Sequence, residues 1–264
     1  MSEISTALLA AGIAIVILMV VTWAVSVAVK NASIVDLVWG LGFVVVAWTV
    51  HASVGGYAPR KWLLTLLTSI WGLRLCVYLT WRNHGKGEDF RYRAMRKHWG
   101  PKFWLISLGT VFALQGVLMF IVSLPVQLGQ ADATPRHLGV LAWLGVAVWL
   151  VGMFFETVGD VQLARFKGNP ANAGKVMNQG LWRYTRHPNY FGDACVWWGI
   201  ALAASETGTG AWGFIGAIVM TVLLRRVSGV TLLEKSLVKR REGYTEYVAQ
   251  TSPFIPRPPK RTAG

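Results

Sequence analysis

The sequence predicts an all-α fold, a polytopic integral membrane protein with about seven transmembrane helices. Three observations carry this expectation. The 264 residues are 54% hydrophobic and only 14% charged, against roughly 25% charged in a soluble domain. Apolar runs near the spanning length of about twenty residues recur from end to end. The 14 tryptophans far exceed ordinary usage and suit the aromatic belts of membrane–water interfaces.

In chain order the expected spans are roughly Thr6–Val29, Ile34–His51, Lys61–Trp81, Phe103–Leu124, Leu138–Thr157, Asn189–Ser205 and Ala211–Arg225. The first run carries Glu3 where a signal peptide has basic residues, and it is too long for a signal-peptide core, so it reads as a retained span. Backbone groups in lipid must bond internally, which makes these runs helices rather than isolated strands. From Val230 onward an amphipathic helix is expected, then a Pro-rich tail over Pro253–Pro259. No internal repeat and no soluble domain interrupts the pattern. The chain reads as a single membrane domain, residues 1–264, with helices 1–4 in residues 1–136 and helices 5–7 and the tail in 137–264.

The formal charge is +14, from 26 basic and 12 acidic residues. Nucleic-acid binding would gather those cations on one soluble face among stacking aromatics. Here they sit between apolar runs, which argues for topology and attraction to anionic membrane lipid, not a nucleic-acid partner. One set of loops holds Lys30, then Arg82 to Lys102, then Arg165 to Arg186, then the basic residues from Arg225 onward; the opposite set offers only Arg60, Lys61 and Arg136. This bias predicts a multi-pass protein with an outside N-terminus and a cytoplasmic C-terminus. Cys76 and Cys195 lie in apolar segments without metal-ligand spacing and read as buried filler; no metal is expected. Gly208-Thr209-Gly210-Ala211-Trp212-Gly213 fits the dinucleotide glycine pattern, but no strand precedes it, so a helix-connecting turn suffices. No obligate protein partner is expected.

The densest chemistry lies in Gly180-Leu181-Trp182-Arg183-Tyr184-Thr185-Arg186-His187-Pro188-Asn189-Tyr190-Phe191-Gly192-Asp193. Pro188 is suited to the first position of a helix. Free N–H groups at that start, beside Arg183 and Arg186, make an anion site. Glu156 and Asp160 stand four apart at the expected cytoplasmic end of the fifth span, where acids oppose the helix dipole and need a partner. Glu234, Lys235, Lys239, Arg240, Arg241, Tyr244 and Tyr247 form a further polar set, part of it a solvated face. Arginines there suit pyrophosphate, and the tyrosines suit adenine stacking or phosphate hydrogen bonds.

In the first half, Asp36 enters the second span near Asn31, one turn from Trp39, and reads either as a dipole-stabilised acid or as a proton donor facing a cavity. Arg74 and Tyr78 share one face of the third span. They offer either an Asp36–Arg74 pair or the polar end of a substrate cavity. The loop Arg82–Lys102, with Glu88, Asp89, Arg91, Tyr92 and Arg93, reads as a membrane-surface segment or a lid over a cofactor.

These residues resemble a family. The run from Gly180 to Tyr190, the later Tyr244 and Tyr247, and Ser252-Pro253-Phe254-Ile255-Pro256 resemble the membrane steroid 5α-reductases and, more widely, their superfamily with sterol reductases and isoprenylcysteine carboxyl methyltransferases. Asn31 to Gly40 looks like a bacterial reductase-like branch. The resemblance implies four helices around an apolar steroid cavity and three holding NADPH. By motif position it implies cofactor contacts from Glu156, Asp160, Arg183, Tyr184, Arg186, His187, Asn189 and Tyr190. The basic residues beyond Arg225, Lys235 and Arg240 among them, would surround the phosphates, with Tyr244 and Tyr247 stacking on adenine or hydrogen-bonding to phosphate.

The family's Gln-Glu pair on the second span is missing here. Asp36 is the acid near that place; the family's tyrosine on the third span falls on Trp71 or Tyr78, depending on the register around Arg74, with Tyr78 the candidate donor and Trp39 and Arg74 the candidate substrate contacts. The implied activity is NADPH-dependent reduction of a 3-oxo-Δ4 steroid or similar apolar enone that enters from lipid. An S-adenosylmethionine-dependent membrane methyltransferase is the alternative; Glu234-Lys235 puts a cation where such enzymes tend to pair acids, and the surplus of basic residues favours a 2′-phosphorylated dinucleotide.

Overall fold

The computed structural model describes residues 1–227, 241 and 243–260, and every regular element among them is helical. The elements are α1 (Glu3–Ala28), α2 (Ile34–Ser53), α3 (Ala58–Asn83), α4 (Phe90–Trp99), α5 (Phe103–Ser107), a π-helical stretch (Leu108–Ala113), α6 (Leu114–Val122), α7 (Leu124–Ala131), α8 (Val140–Gly168), α9 (Pro188–Ala204), α10 (Phe214–Val222) and α11 (Tyr244–Gln250). Five helical stretches are long and apolar enough to cross a membrane: Glu3–Ala28, Ile34–Ser53, Ala58–Asn83, Phe90–Val122 and Val140–Gly168. They mark an integral membrane protein. The sixth expected span forms α9, of 17 residues, near the lower limit for crossing. The seventh is divided between α10 and a π-helical Leu223–Val227. Of the expected C-terminal amphipathic helix, Tyr244–Gln250 is described and helical.

The chain divides into two compact units, Met1–Trp143 with Ile200–Gly216, and Leu144–Gly199 with Ala217–Gly264. In the first, lipid offers no hydrophobic drive between helices, so close backbone approach must hold them. Gly40 and Gly72 supply it between α2 and α3: a Cβ on either would come within 2.4 or 2.5 Å of the other's carbonyl oxygen. Phe43, Trp71, Leu64, Phe112 and Met119 fill the interior. Seven of the eight residues of α7 are buried, and the helix packs against α1, α2 and α3. Its C-terminal carbonyls would be orphans there. Arg60, fully buried, satisfies them, donating to Gly129 O at 3.0 Å and Asp132 O at 2.6 Å, and to Pro135 O at 3.0 Å.

The segment before α5 is fastened by charge. Glu88 accepts from the Ala32 N–H at 2.8 Å and takes Arg96 bidentately at 2.8 and 2.9 Å. The Asp89 N–H donates to Ser33 Oγ at 2.6 Å, while its carboxylate caps α4 through the Arg91 N–H at 2.9 Å. α4 is thereby clamped to the α1–α2 turn. Burial alone would raise the Glu88 carboxyl, but hydrogen bonds from Arg96 and Ala32 and the charges of Arg96 and Arg93 outweigh it and hold the group below its usual range. Asp89 is likewise raised by burial and lowered, on balance, by its bonds from Arg91 and the charges of Arg91 and Arg82.

In the second unit α8 and α9 meet along glycines. A Cβ on Gly199 would lie 2.6 Å from Gly145 O, one on Gly192 2.5 Å from Gly152 O and 2.4 Å from Glu156 N, and one on Gly159 3.1 Å from Pro188. Gly145, Gly152 and Gly159 recur every seventh residue, so they form one stripe of α8. Trp198 Nε1 donates to Thr221 Oγ1 at 3.0 Å, tying α9 to α10.

Candidate functional site

The candidate site is built on the turn that leads into α9. It begins at Gly180, whose φ of +58° suits glycine and whose added Cβ would strike Gln162 at 2.5 Å. Gln162 Oε1 accepts the Leu181 N–H at 3.0 Å, and Trp182 Nε1 donates to Gly159 O at 3.0 Å, so the 3₁₀ turn Gly180–Arg183 is pinned to α8. Pro188 then opens α9, as its lack of an N–H favours.

Below this turn the acids are buried, Glu156 and Asp160 each at 3% exposure. They are not at a helix end. α8 runs on to Gly168, with Arg165 and Lys167 in its last turn, because nothing breaks the helix before Gly168-Asn169-Pro170. The expectation that a C-terminal dipole opposes these acids is corrected accordingly. Asn189 Nδ2 donates to Asp160 Oδ1 at 3.1 Å, and its own Oδ1 accepts the Tyr190 N–H at 3.1 Å. The amide thus joins a buried carboxylate to the first turn of α9. His187 is buried and stacks on Tyr190, ring centroids 5.3 Å apart and planes at 1°.

The arginines divide in role. Arg183 is exposed, with no polar partner among the described residues, and Tyr184 beside it is 43% exposed. Arg186 is buried and gives Nη1 to Val248 O at 3.0 Å and Thr251 O at 2.6 Å, capping the C-terminus of α11. Its N–H reaches Ser252 O at 2.9 Å, and Thr185 Oγ1 reaches Phe254 O at 2.8 Å. Tyr244 and Tyr247 are buried, and the Tyr247 hydroxyl donates to Trp182 O. These two tyrosines hold the tail rather than present open faces for stacking. Lys235 and Arg240 lie outside the described residues.

The predicted first-half residues group differently from expectation. Asp36 pairs with Arg91 Nη2 through Oδ2 at 2.8 Å and accepts the Tyr92 hydroxyl on Oδ1 at 2.8 Å; the pair with Arg74 is not formed. With both oxygens facing donors, one of them a guanidinium, Asp36 holds α4 to the start of α2. Arg91 and Tyr92 escaped as its partners because they stand 55 and 56 residues away. Tyr78 lies under the guanidinium groups of Arg74 and Arg82, 5.3 and 5.7 Å from its ring centroid. Trp39 meets Phe43 edge-on at 5.2 Å, and Phe43 meets Trp71 at 5.5 Å, an aromatic ladder linking α2 to α3.

The chain belongs to the family described as "Protein of unknown function (DUF1295)", matched over residues 22–251. It is 25% identical to an uncharacterized protein of Schizosaccharomyces pombe, over 90% of this chain and 76% of that one. A 60-residue stretch, 23% of this chain, is 37% identical to 3-oxo-5-alpha-steroid 4-dehydrogenase 1 of Mus musculus, covering 24% of that enzyme. A stretch of the same length is 38% identical to the probable O-methyltransferase ustE of Ustilaginoidea virens, covering 21% of it. No solved structure matches. The family is therefore related to steroid 5α-reductases and to methyltransferases through short partial matches.

Proposed function

We propose that the protein is a membrane-embedded, NADPH-dependent reductase of the conjugated C=C bond in a 3-oxo-Δ4 steroid or similar apolar enone. The observation that carries this reading is the Asp160–Asn189 pair at the start of α9, in the turn whose Arg183, six residues earlier, is exposed. The donor set fits a dinucleotide: Arg183 suits a phosphate as a forked cation, and the buried acids Glu156 and Asp160 suit hydroxyl or amide donors. His187 and Tyr190, locked face to face, keep that surface in one arrangement. Lys235 and Arg240 would add charge for a 2′-phosphate. NADPH, when bound, supplies the hydride.

On the substrate side, Tyr78 is the proposed donor to the enone oxygen as enolate charge develops, an oxyanion-type stabilisation. Asp36 becomes a positioning residue, fixing α4 through Arg91 and Tyr92, and Trp39 and Arg74 line the substrate. In this reading α9 and the α10 region also cross the bilayer, giving seven spans with the N-terminus outside and the site on the cytoplasmic face. Substrate enters from lipid, and no protein partner is required.

The test is direct. Purified protein, NADPH and a 3-oxo-Δ4 steroid should give a product heavier by two hydrogens. Arg183→Gln should raise the NADPH dissociation constant about tenfold, as loss of one charge-assisted pair predicts. No reduction, together with transfer of labelled methyl from S-adenosylmethionine, would replace the proposal with the methyltransferase.

A further inference from the structure

The ten residues of α4 carry five basic or imidazole side chains, Arg91, Arg93, Arg96, Lys97 and His98. Two are used inside the protein. Arg96 holds Glu88, and Arg91 holds Asp89 and Asp36, at 2.8 to 2.9 Å. These contacts also consume both acids of the loop. Arg93 and Lys97 are exposed and have no ion pair among the described residues. With Phe90, 69% exposed, and exposed Ala94 they form one stripe at i, i+3, i+4 and i+7.

The depth of this stripe follows from what comes next. Gly100, at φ +54°, turns the chain, so α4 does not continue straight into the following helix. Phe103–Val122 then supplies about 30 Å of helix at ~1.5 Å per residue, the thickness of the hydrocarbon core. Trp104 and Leu105, in its first turn, are 50% and 56% exposed, and Trp81 at the end of α3 is 65% exposed. Apolar and aromatic exposure of this kind marks the level where lipid tails meet headgroups. Lys102 and the α4 stripe sit just beyond it, and the clamp on Ala32 and Ser33 prevents their swinging away.

We propose that the outward face of α4, with Arg93, Lys97 and Lys102 around Phe90, is a binding surface for anionic phospholipid headgroups. A zwitterionic headgroup offers its phosphate with a compensating amine. A surface that has used up its own acids selects lipids of net negative charge. The full-length protein in detergent, titrated with equimolar phosphatidylglycerol and phosphatidylcholine and read by native mass spectrometry, tests this. The parent should retain phosphatidylglycerol preferentially. Arg93→Gln/Lys97→Gln should lower that preference roughly 25-fold, at about fivefold per cation, with an unchanged melting temperature because both side chains are exposed. If the double variant does not fold, Lys97→Gln alone should show the fivefold loss. Arg226→Gln, a cation elsewhere, should leave the preference intact. Equal retention of the two lipids by the parent, an unmoved preference in the α4 variants, or its loss in Arg226→Gln would each overturn the proposal.

Discussion

The α4 clamp and the α8–α9 seam solve the same problem, fixing one helix against another, by opposite chemistry. The clamp uses carboxylates, guanidiniums and a tyrosine at the edge of the protein, where water and salt compete for each bond. The seam uses glycine backbone contact and almost nothing that titrates. One fastening is adjustable by conditions and the other by covalent change alone. That difference suits their places: the clamp orders a surface segment, whereas the seam sets the height of Asp160 against Asn189 and therefore the geometry of the candidate site.

The largest effect should come from breaking the seam. A Cβ at Gly192 would lie 2.4 Å from Glu156 N and 2.5 Å from Gly152 O, both backbone atoms that cannot rotate away. Gly192→Val should therefore cost about 3 kcal/mol or more, the upper range for overpacking, and appear as loss of monodisperse protein in detergent chromatography. Gly168→Ala, whose Cβ meets nothing within 4 Å, should be tolerated. If both variants behave alike, the seam does not hold the unit together.

Next comes the clamp. Asp36→Asn removes an ion pair and weakens the bond from Tyr92, both only partly shielded from water. A loss of about 2 kcal/mol is expected from charged hydrogen bonds of this kind after solvent screening. Thermal unfolding of Asp36→Asn, Tyr92→Phe and the double variant should give non-additive shifts. Additive shifts would mean that the two residues do not act through one another. The same variants separate positioning from catalysis: as a positioning residue, Asp36 should leave the pH profile of turnover unshifted when it becomes asparagine.

Much of the candidate site was legible in the sequence, for local reasons. Pro188 after Arg186-His187 announces a helix start through its missing N–H, and Gly180 announces a turn. The partner of Asp36 was not legible, because pairing across more than fifty residues is a tertiary fact with no local signature. Nor was the capping role of Arg186, since an arginine that caps a helix and one that waits for phosphate read identically. The end of α8 was misjudged because hydropathy falls at Thr157 while helix propensity does not. The seven-residue spacing of Gly145, Gly152 and Gly159 is present in the sequence, but each glycine alone reads as a weak helix position.

A smaller effect tests how the tail is held. Thr185 is fully buried and its hydroxyl donates to Phe254 O at 2.8 Å. Thr185→Val keeps the shape and leaves that carbonyl without its donor, for a loss of about 1 kcal/mol. The expected readout is faster protease cleavage near Phe254, with the rest of the chain as resistant as the parent. Equal cleavage rates would show that the Arg186 and Tyr247 contacts secure the tail without the Thr185 hydroxyl.

The smallest effect is the one that separates the two fastenings most cleanly. Glu88 and Asp89 have folded values below their unfolded ones. The unfolded chain therefore binds more protons as pH falls through the carboxylate range, and stability declines with it. The contribution is complete above the unfolded values, near pH 4 to 5, and disappears as pH drops through the folded ones. The melting temperature should fall between pH 6 and pH 3.5, and Glu88→Gln should flatten part of that slope by removing one titrating partner. Variants of the seam should keep the parent's slope, because Gly145, Gly152, Gly159, Gly192 and Gly199 bring no proton to the contact. A Glu88→Gln protein that melts with the parent's full pH dependence would place the acid sensitivity outside the clamp.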